Sequence, residues 1–474
     1  MKVEFDVSKN KAILLGKYLP EVREHFSIYN PAAKFSRSFF TPKRLYAITP
    51  NGYFDIGLTE EISKFLLETR SIKLEISDLV KSRLNPKLDK SLICRLNKEL
   101  RDYQLEAVSK SVNIGRGVCL MGTGAGKTLT MASLIDNFYL HSKNIKKFKC
   151  LVIVPDLGLV SQTYNEFIDY NVSFNVTMWT GSNKPDMDAE VFIANIAILQ
   201  NRFSQNDWLK DVDLLIVDEA HKLNRGNKIV KIVDSIKTNN KFGFTGTLPE
   251  DKLDQWNLLG KIGPVIISKN SFELRSNNYL TNVEVKVLNI NYKIGNKLRL
   301  GDSESAYANE LNYIYNSSYR NNIIEKTCSF YKNNILILVN HLTHGEILLN
   351  LLSEKLQDKK VYFIKGEVEI DQREEIKKLI ESNDNIICIA MSSIFSTGVS
   401  VNNIHYIIFA SGGKSFVRTV QSIGRGLRLN KNKEKLIILD FADNLYYGSR
   451  HSEKRKEIYE LETIPYTEKI ISEK

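Results

Sequence analysis

No stretch of the 474-residue chain approaches the roughly 20 uninterrupted apolar residues that a membrane span needs, which argues against a helical membrane protein. The first residues, MKVEFDVSKNK, lack the apolar core of a secretory signal, so a cytoplasmic protein with no membrane partner is expected. Cysteine is scarce. Cys94, Cys119, Cys150, Cys328 and Cys388 stand far apart with no CxxC pair, which favours neither a zinc site nor a disulfide framework and leaves buried thiols in a reducing compartment. Low-complexity tracts and repeats of roughly 20–50 residues are also missing, so nothing points to a solenoid.

What is present is a basic chain of ordinary globular composition. At this length two to four domains are expected. The formal net charge of +11 suits a polyanionic partner, because each neutralised phosphate releases counterions. Charge alone fits solvated lysines equally well.

From about Leu100 onward, short apolar runs alternate with amphipathic stretches. GVCLMG, CLVIVP, VDLLIVDEA, NILILVN, NIICIA, IHYIIFA and LIILDF are rich in Ile, Val and Leu and end in turn or charged residues. Such runs read as buried strands of parallel sheets with helices between them. There are too many for one sheet, so two α/β lobes are expected, joined in the polar stretch between Gly263 and Thr281. Residues 1–90 read as a small α+β domain. RLYAIT and YFDIG flank a Pro-Asn-Gly turn and are expected to pair. LTEEISKFLLE reads as a helix with Thr59 as N-cap and Ile62, Phe65 and Leu66 on one face, and a linker is expected from Ser82. The expected division is 1–90, 91–268 and 269–474.

Three segments carry chemistry. Gly122, Thr123, Gly124, Ala125, Gly126, Lys127 and Thr128 follow a strand and precede a helical stretch, the arrangement of a phosphate loop. Its backbone N–H groups and helix N-terminus suit phosphate. Lys127 is expected to reach the β- and γ-phosphates of ATP and Thr128 to hold Mg²⁺. Met121 stands where the GxxxxGK[ST] pattern has its first glycine. Asp218, Glu219, Ala220 and His221 close the strand VDLLIV, where an acidic pair sits at the usual ligand crevice. Asp218 would hold Mg²⁺ and Glu219 would orient and deprotonate the attacking water. Downstream, Gln421 begins QSIGRGLR, whose Arg425 and Arg428 are three apart and share a helix face. Facing the γ-phosphate from a second lobe, they would act as arginine fingers.

These motifs, in this order, resemble the superfamily 2 helicases. The resemblance extends over residues 99–445 and implies two tandem RecA-like parallel-sheet lobes with ATP between them. It further implies that Gln104, with Arg101, reads the adenine and that Pro155 through Gln162 tracks the nucleic-acid backbone. Thr245, Gly246 and Thr247 would couple hydrolysis to movement, and Thr397 and Gly398 would touch phosphate. His221 would bridge the ATP site to Thr245. A narrower resemblance, to the UvsW type of T4-like phages, rests on NHLTHGEILLNLL, KGEVEIDQRE, FSTGVSVNNIHYIIFA, QSIGRGLR and RLYAITPNGYFDIGL. It implies action on branched DNA (junctions, forks, D-loops and R-loops, the last bringing RNA into contact) in recombination, repair and replication, within the host cytoplasm if the chain is phage-encoded.

Other features are less specific. Lys34, Arg37, Lys43 and Arg44 alternate with Phe35, Phe39 and Phe40, so the cations could meet phosphates and the rings could stack on bases, or the rings could simply form the small domain's core. His341 and His344 follow a strand without further ligands nearby, which leaves a backbone or phosphate contact. The reading reached is an ATP- and Mg²⁺-dependent DNA helicase or translocase, acting as a monomer. An RNA helicase, the motor subunit of a restriction or nuclease complex, and a DNA-binding scaffold with an inactive nucleotide site are the competing readings.

Overall fold

A computed structural model describes the chain except residues 35–40, 87, 89–90, 123, 143, 146, 182, 203–206, 295–302, 366–377, 393–402, 412–434, 462 and 474. The chain forms two compact units, the first built from Met1–Gly122 and Gly126–Asn270 and the second from Thr123–Ala125 and Ser271–Lys474.

The first unit begins with six short strands: β1 (Lys2–Asp6), β2 (Lys11–Leu15), β3 (Ser27–Tyr29), β4 (Arg44–Tyr46), β5 (Tyr53–Phe54) and β6 (Glu75–Ile76). They form a sheet of order β5-β2-β1-β6 and a separate β3-β4 pair. RLYAIT and YFDIG meet across their turn, where the Thr49 N–H donates to the Tyr53 carbonyl at 2.9 Å, but form no common ladder. The Thr49 carbonyl accepts the Gly52 N–H, closing the turn at a left-handed glycine (φ +82°), and β4 and β5 leave it toward different partners. Thr59 is the first residue of the helix Thr59–Arg70 rather than its cap. A short 3₁₀ turn, Ile56–Leu58, runs straight into that helix, and the Thr59 hydroxyl donates to the Ile56 carbonyl. Ser82 lies inside the helix Asp78–Leu84, so the irregular segment starts later than its polarity suggests.

Seven parallel strands follow: β7 (Gly117–Met121), β8 (Cys150–Val154), β9 (Val176–Trp179), β10 (Val191–Asn195), β11 (Leu214–Asp218), β12 (Lys241–Thr245) and β13 (Val265–Lys269). Their order is β13-β7-β12-β11-β8-β10-β9. Every residue of β8, β10 and β12 is buried, as expected for strands covered by helices on both faces. The small domain shares a core with this lobe. Val3, Leu14, Val22, Phe26 and Ile62 pack with Leu253 and Trp256 of the helix Lys252–Ile262, and the Phe26 and Trp256 rings lie 5.1 Å apart.

The second unit repeats the architecture with β14 (Asn282–Asn291), β15 (Ile335–Val339), β16 (Lys360–Ile364), β17 (Ile386–Met391), β18 (Tyr406–Phe409), β19 (Lys435–Asp443) and β20 (Tyr466–Ser472). All pairs are parallel, in the order β16-β17-β15-β18-β19-β14-β20. Two such all-parallel sheets in tandem are RecA-like lobes. Among the described residues no helix is long and apolar enough to cross a membrane.

Candidate active site

The order of the first large sheet decides what meets what. β12 lies between β7 and β11, so the chain segments leaving these three strands emerge side by side at their C-terminal ends. In register, Asp218 of β11 stands beside Phe244 of β12, and Thr245 stands beside Leu120 of β7.

β7 runs through the glycine loop into the helix Lys127–Ser142. Gly124 (φ +82°) and Gly126 (φ +74°) occupy the left-handed region that side chains resist, which is why glycine is needed there. The Gly126 carbonyl accepts from the Thr130 N–H at 3.1 Å and from the Thr130 hydroxyl at 3.2 Å. It accepts a third bond, 3.3 Å, from Nε2 of Gln104. Gln104 is buried, and its Oε1 takes the Arg101 N–H at 2.9 Å, capping the helix Asp102–Ile114. A Cβ at Gly126 would collide with Gln104 Nε2. The loop is thus fastened to Gln104 through backbone atoms. Arg101 donates through Nη1 to the Tyr103 hydroxyl at 3.0 Å.

β11 ends at Asp218, and the next residue turns sharply. Glu219 adopts φ 49°, ψ 48°, an uncommon conformation for a residue with a side chain, and its N–H donates to Asp218 Oδ1 at 2.9 Å. The turn brings its carboxylate to Lys127 at the end of the glycine loop. Glu219 Oε1 lies 3.4 Å from Lys127 Nζ and Oε2 lies 3.3 Å from His221 Nδ1. His221 Nδ1 is also 2.8 Å from the Thr245 hydroxyl, which donates to the Thr247 carbonyl at 3.0 Å. With the Thr245 proton committed, the network assigns the imidazole proton to Nδ1. Burial would raise the Glu219 carboxyl, but the Lys127 charge and the His221 hydrogen bond outweigh it and hold it at about 2. The result is an ionised carboxylate flanked by an ammonium and an imidazole, with a relay from β11 to β12. Among the described residues no three His, Cys, Asp or Glu side chains cluster as a self-sufficient metal site.

The other sequence-derived positions fall apart from this cluster. Pro155 follows β8, and Asp156 caps the helix Leu157–Asp169 by accepting from the Leu159 N–H. Gln162, on that helix, donates to Glu166 at 2.8 Å. Lys43 is exposed, whereas Arg44 is tied to Ser27 at 3.0 Å and Glu24 at 3.1 Å. Lys34 ends a 3₁₀ turn, Pro31–Lys34. Thr123, Arg37, Phe35, Phe39, Phe40, Thr397, Gly398, Gln421, Arg425 and Arg428 lie outside the described residues. His344 is fully buried and stacked on Tyr315, their rings 4.7 Å apart, so it is a core residue and not a phosphate contact. The sequence signals missed the left-handed Glu219 and the Gln104–Gly126 fastening, since no local pattern marks either.

Comparison with known proteins agrees with this geometry. Residues 97–250 match the family model for the type III restriction enzyme res subunit, and residues 320–430 match the helicase conserved C-terminal domain. The ATP-dependent DNA helicase UvsW of Enterobacteria phage T4 is 27% identical over 93% of this chain and 90% of its own. The DNA 3'-5' translocase XPB2 of Sulfurisphaera tokodaii is 24% identical over 80% of this chain and 88% of its own. In fold, the Hef helicase domain of Pyrococcus furiosus superposes with a TM-score of 0.51 at 17% identity, covering 76% of this chain and 98% of that one. An alignment that runs nearly end to end with one relative, through both family regions, leaves one conclusion: the chain is a superfamily 2 helicase of the UvsW type, an ATP-dependent enzyme.

Proposed function

We propose that this chain hydrolyses ATP to drive movement along DNA and remodels branched DNA: junctions, forks, D-loops and R-loops. The observation that carries the reading is the relay Lys127–Glu219–His221–Thr245, which joins the phosphate loop, the acidic strand end and the coupling segment in one chain of polar contacts. Substrate branching rests on the likeness to the T4 UvsW helicase. Residues 1–90 would serve as an accessory DNA-binding domain, 91–268 as the ATP-binding lobe and 269–474 as the second motor lobe.

The residues suggest the following roles. ATP phosphates would compete for the Lys127 ammonium, loosening its 3.4 Å pair with Glu219. Glu219, released and still hydrogen-bonded to His221, would orient and deprotonate the attacking water. His221 would report that change to Thr245, 2.8 Å away. Gln104, fastened to Gly126, would present its face to the base. The left-handed glycines of the loop leave room for phosphate, and Thr128 and Asp218, at the ends of adjoining segments, are the residues that would hold Mg²⁺. When bound, that ion would neutralise charge on the phosphates. Arg425 and Arg428, by resemblance, would stabilise charge on the transferring phosphoryl group.

The test is the ATPase rate with no nucleic acid, single-stranded DNA, a four-way DNA junction, and RNA of matched length. Stimulation that is greatest with the junction is expected. Stimulation by RNA alone would replace this reading with an RNA helicase.

A further inference from the structure

A cavity of about 460 Å³ lies between the small amino-terminal domain and the first lobe, away from the glycine loop. Its size suits a ligand such as a nucleotide, since small-molecule sites commonly run to roughly 300–1,000 Å³ and favour domain junctions. Tyr46, Tyr53 and Trp256 are among the residues that line it. Two cations stand on its rim from opposite domains, Lys9 from the β1–β2 turn and Arg225 from the loop after His221.

The charges are not equivalent. Asp55, which also lines the cavity, is occupied by Lys11 and by Lys261, the latter at 3.0 Å. Arg225 makes no ion pair among the described residues, and Lys9 is held at Tyr53 with the Asp6 carboxylate nearby but not in an ion pair. The Lys9 ammonium sits 3.8 Å over the Tyr53 ring, and Arg225 is anchored only through its backbone N–H, which donates to Asp254 at 2.8 Å. Its guanidinium makes no hydrogen bond or ion pair among the described residues. Asn257 donates to the Leu223 carbonyl at 2.6 Å, which leaves its side-chain oxygen for a ligand donor. Aromatic side chains, a guanidinium with no partner among the described residues, an ammonium held against Tyr53 and one amide oxygen match a phosphorylated base: rings for its π-face, cations for its phosphate, the amide for its edge. An acyl chain or an apolar peptide would leave both cations unused.

We propose that this groove holds one unstacked nucleotide of the nucleic-acid strand on which the motor acts, its base against the Tyr53–Trp256 side and its phosphate between Lys9 and Arg225. The proposal rests on the reading of the chain as a nucleic-acid motor. It places a strand contact on the β1–β2 turn and the Arg225 loop, not on the Lys34–Arg44 segment that the sequence suggests, where Arg44 is already occupied.

The test uses the full chain and a 20-nucleotide thymidine oligonucleotide, fluorescein-labelled for anisotropy across a salt series or substituted with 5-iodouracil for photocrosslinking. Lys9→Glu and Arg225→Glu are compared with Lys81→Glu, the same charge change outside the groove, and with Arg225→Lys. Arg225→Glu is expected to weaken binding about tenfold and to lower the salt slope by about 1, as loss of one phosphate contact does. Arg225→Lys is expected to keep most of the affinity, and crosslinks should map to peptides holding Tyr53 or Trp256. If the wild-type chain binds the oligonucleotide but Arg225→Glu and Lys9→Glu behave like Lys81→Glu, the groove is not a strand site, while the motor reading survives. If the wild-type chain binds no oligonucleotide, the motor reading falls and this proposal with it. Millimolar thymidine monophosphate should leave the crosslink in place; its full displacement would make the groove a free-nucleotide site and overturn strand occupancy.

Discussion

The charged cluster at the end of β11 and the ion pairs along β19 use the same side-chain chemistry to opposite ends. In the second unit, Arg320 and Asp443 are both fully buried and meet through two bonds of 2.7 and 3.1 Å, with the Tyr292 hydroxyl also donating to Asp443. Arg455 grips Asp440 through Nε at 2.9–3.0 Å and Nη2 at 2.8 Å, and Tyr459 adds a bond of 2.8 Å. Such forked, multiply bonded pairs are geometrically closed. The Lys127, Glu219 and His221 contacts are 3.3–3.4 Å long and their side chains stay 15–25% exposed. Long, solvent-reachable contacts of this kind leave the groups able to rearrange, as the roles proposed for Lys127, Glu219 and His221 require. Closed pairs fix structure; slack pairs can exchange partners.

The contrast can be broken most forcefully at the slack end. Lys127→Ala should abolish ATP hydrolysis together with nucleotide binding. Glu219→Gln should keep binding and lose turnover by about two orders of magnitude or more, the scale of a lost general base. Steady-state ATPase and calorimetric nucleotide titration separate the two. At the closed end, Arg320→Leu should cost about 3–5 kcal/mol in the second unit, because it leaves Asp443 buried and unpaired. Urea unfolding measures this, and the double variant Arg320→Leu with Asp443→Leu should recover much of it. A loss confined to a few tenths of a kcal/mol would mean that the pair is not closed in the sense described.

A pH test sharpens the comparison from a third position. Burial, and then the nearby Arg320 and His341 charges, lower His344 from 6.5 to about 3. Between those values the unfolded chain binds a proton that the folded chain refuses. This site therefore leaves stability unaffected above pH 6.5 and erodes it progressively as pH falls toward 3. Thermal melting at pH 7.5 and 5.5 should show a drop in the wild-type chain that His344→Phe reduces. The smallest effect is expected at the relay: Thr245→Val removes the hydroxyl's bonds to His221 and to the Thr247 carbonyl, and loss of the His221 link, worth about 1 kcal/mol, should lower nucleic-acid-stimulated ATPase about fivefold.

How much of this was legible depends on range along the chain. The glycine loop, the acidic strand end and the Ile/Val runs are local patterns, and the two parallel sheets follow from them. Arg320 shows the limit: as an arginine in a polar stretch it reads as a surface residue, and only a partner 123 positions away buries it. The β4 and β5 segments show another. Their turn was readable, but their pairing partners are set by β2 and β3, whose competing edges no turn rule weighs. Gln104 was marked by resemblance to a base-reading position, whereas its grip on Gly126 needs the helix Asp102–Ile114 laid against the loop.

Gly57, the middle residue of the Ile56–Leu58 turn, limits how such a chain can be rearranged over evolutionary time. A methyl there would sit 2.8 Å from the Gly260 carbonyl oxygen, and closer still to that of Leu259. The small domain's backbone is therefore fitted against one particular helix end, and its core borrows Leu253 and Trp256 from that helix. A shuffled amino-terminal module would arrive on a foreign lobe without the two side chains, Leu253 and Trp256, that complete its core. The ancestry of residues 1–90 and of Lys252–Ile262 should accordingly trace one tree, inherited together rather than exchanged as cassettes.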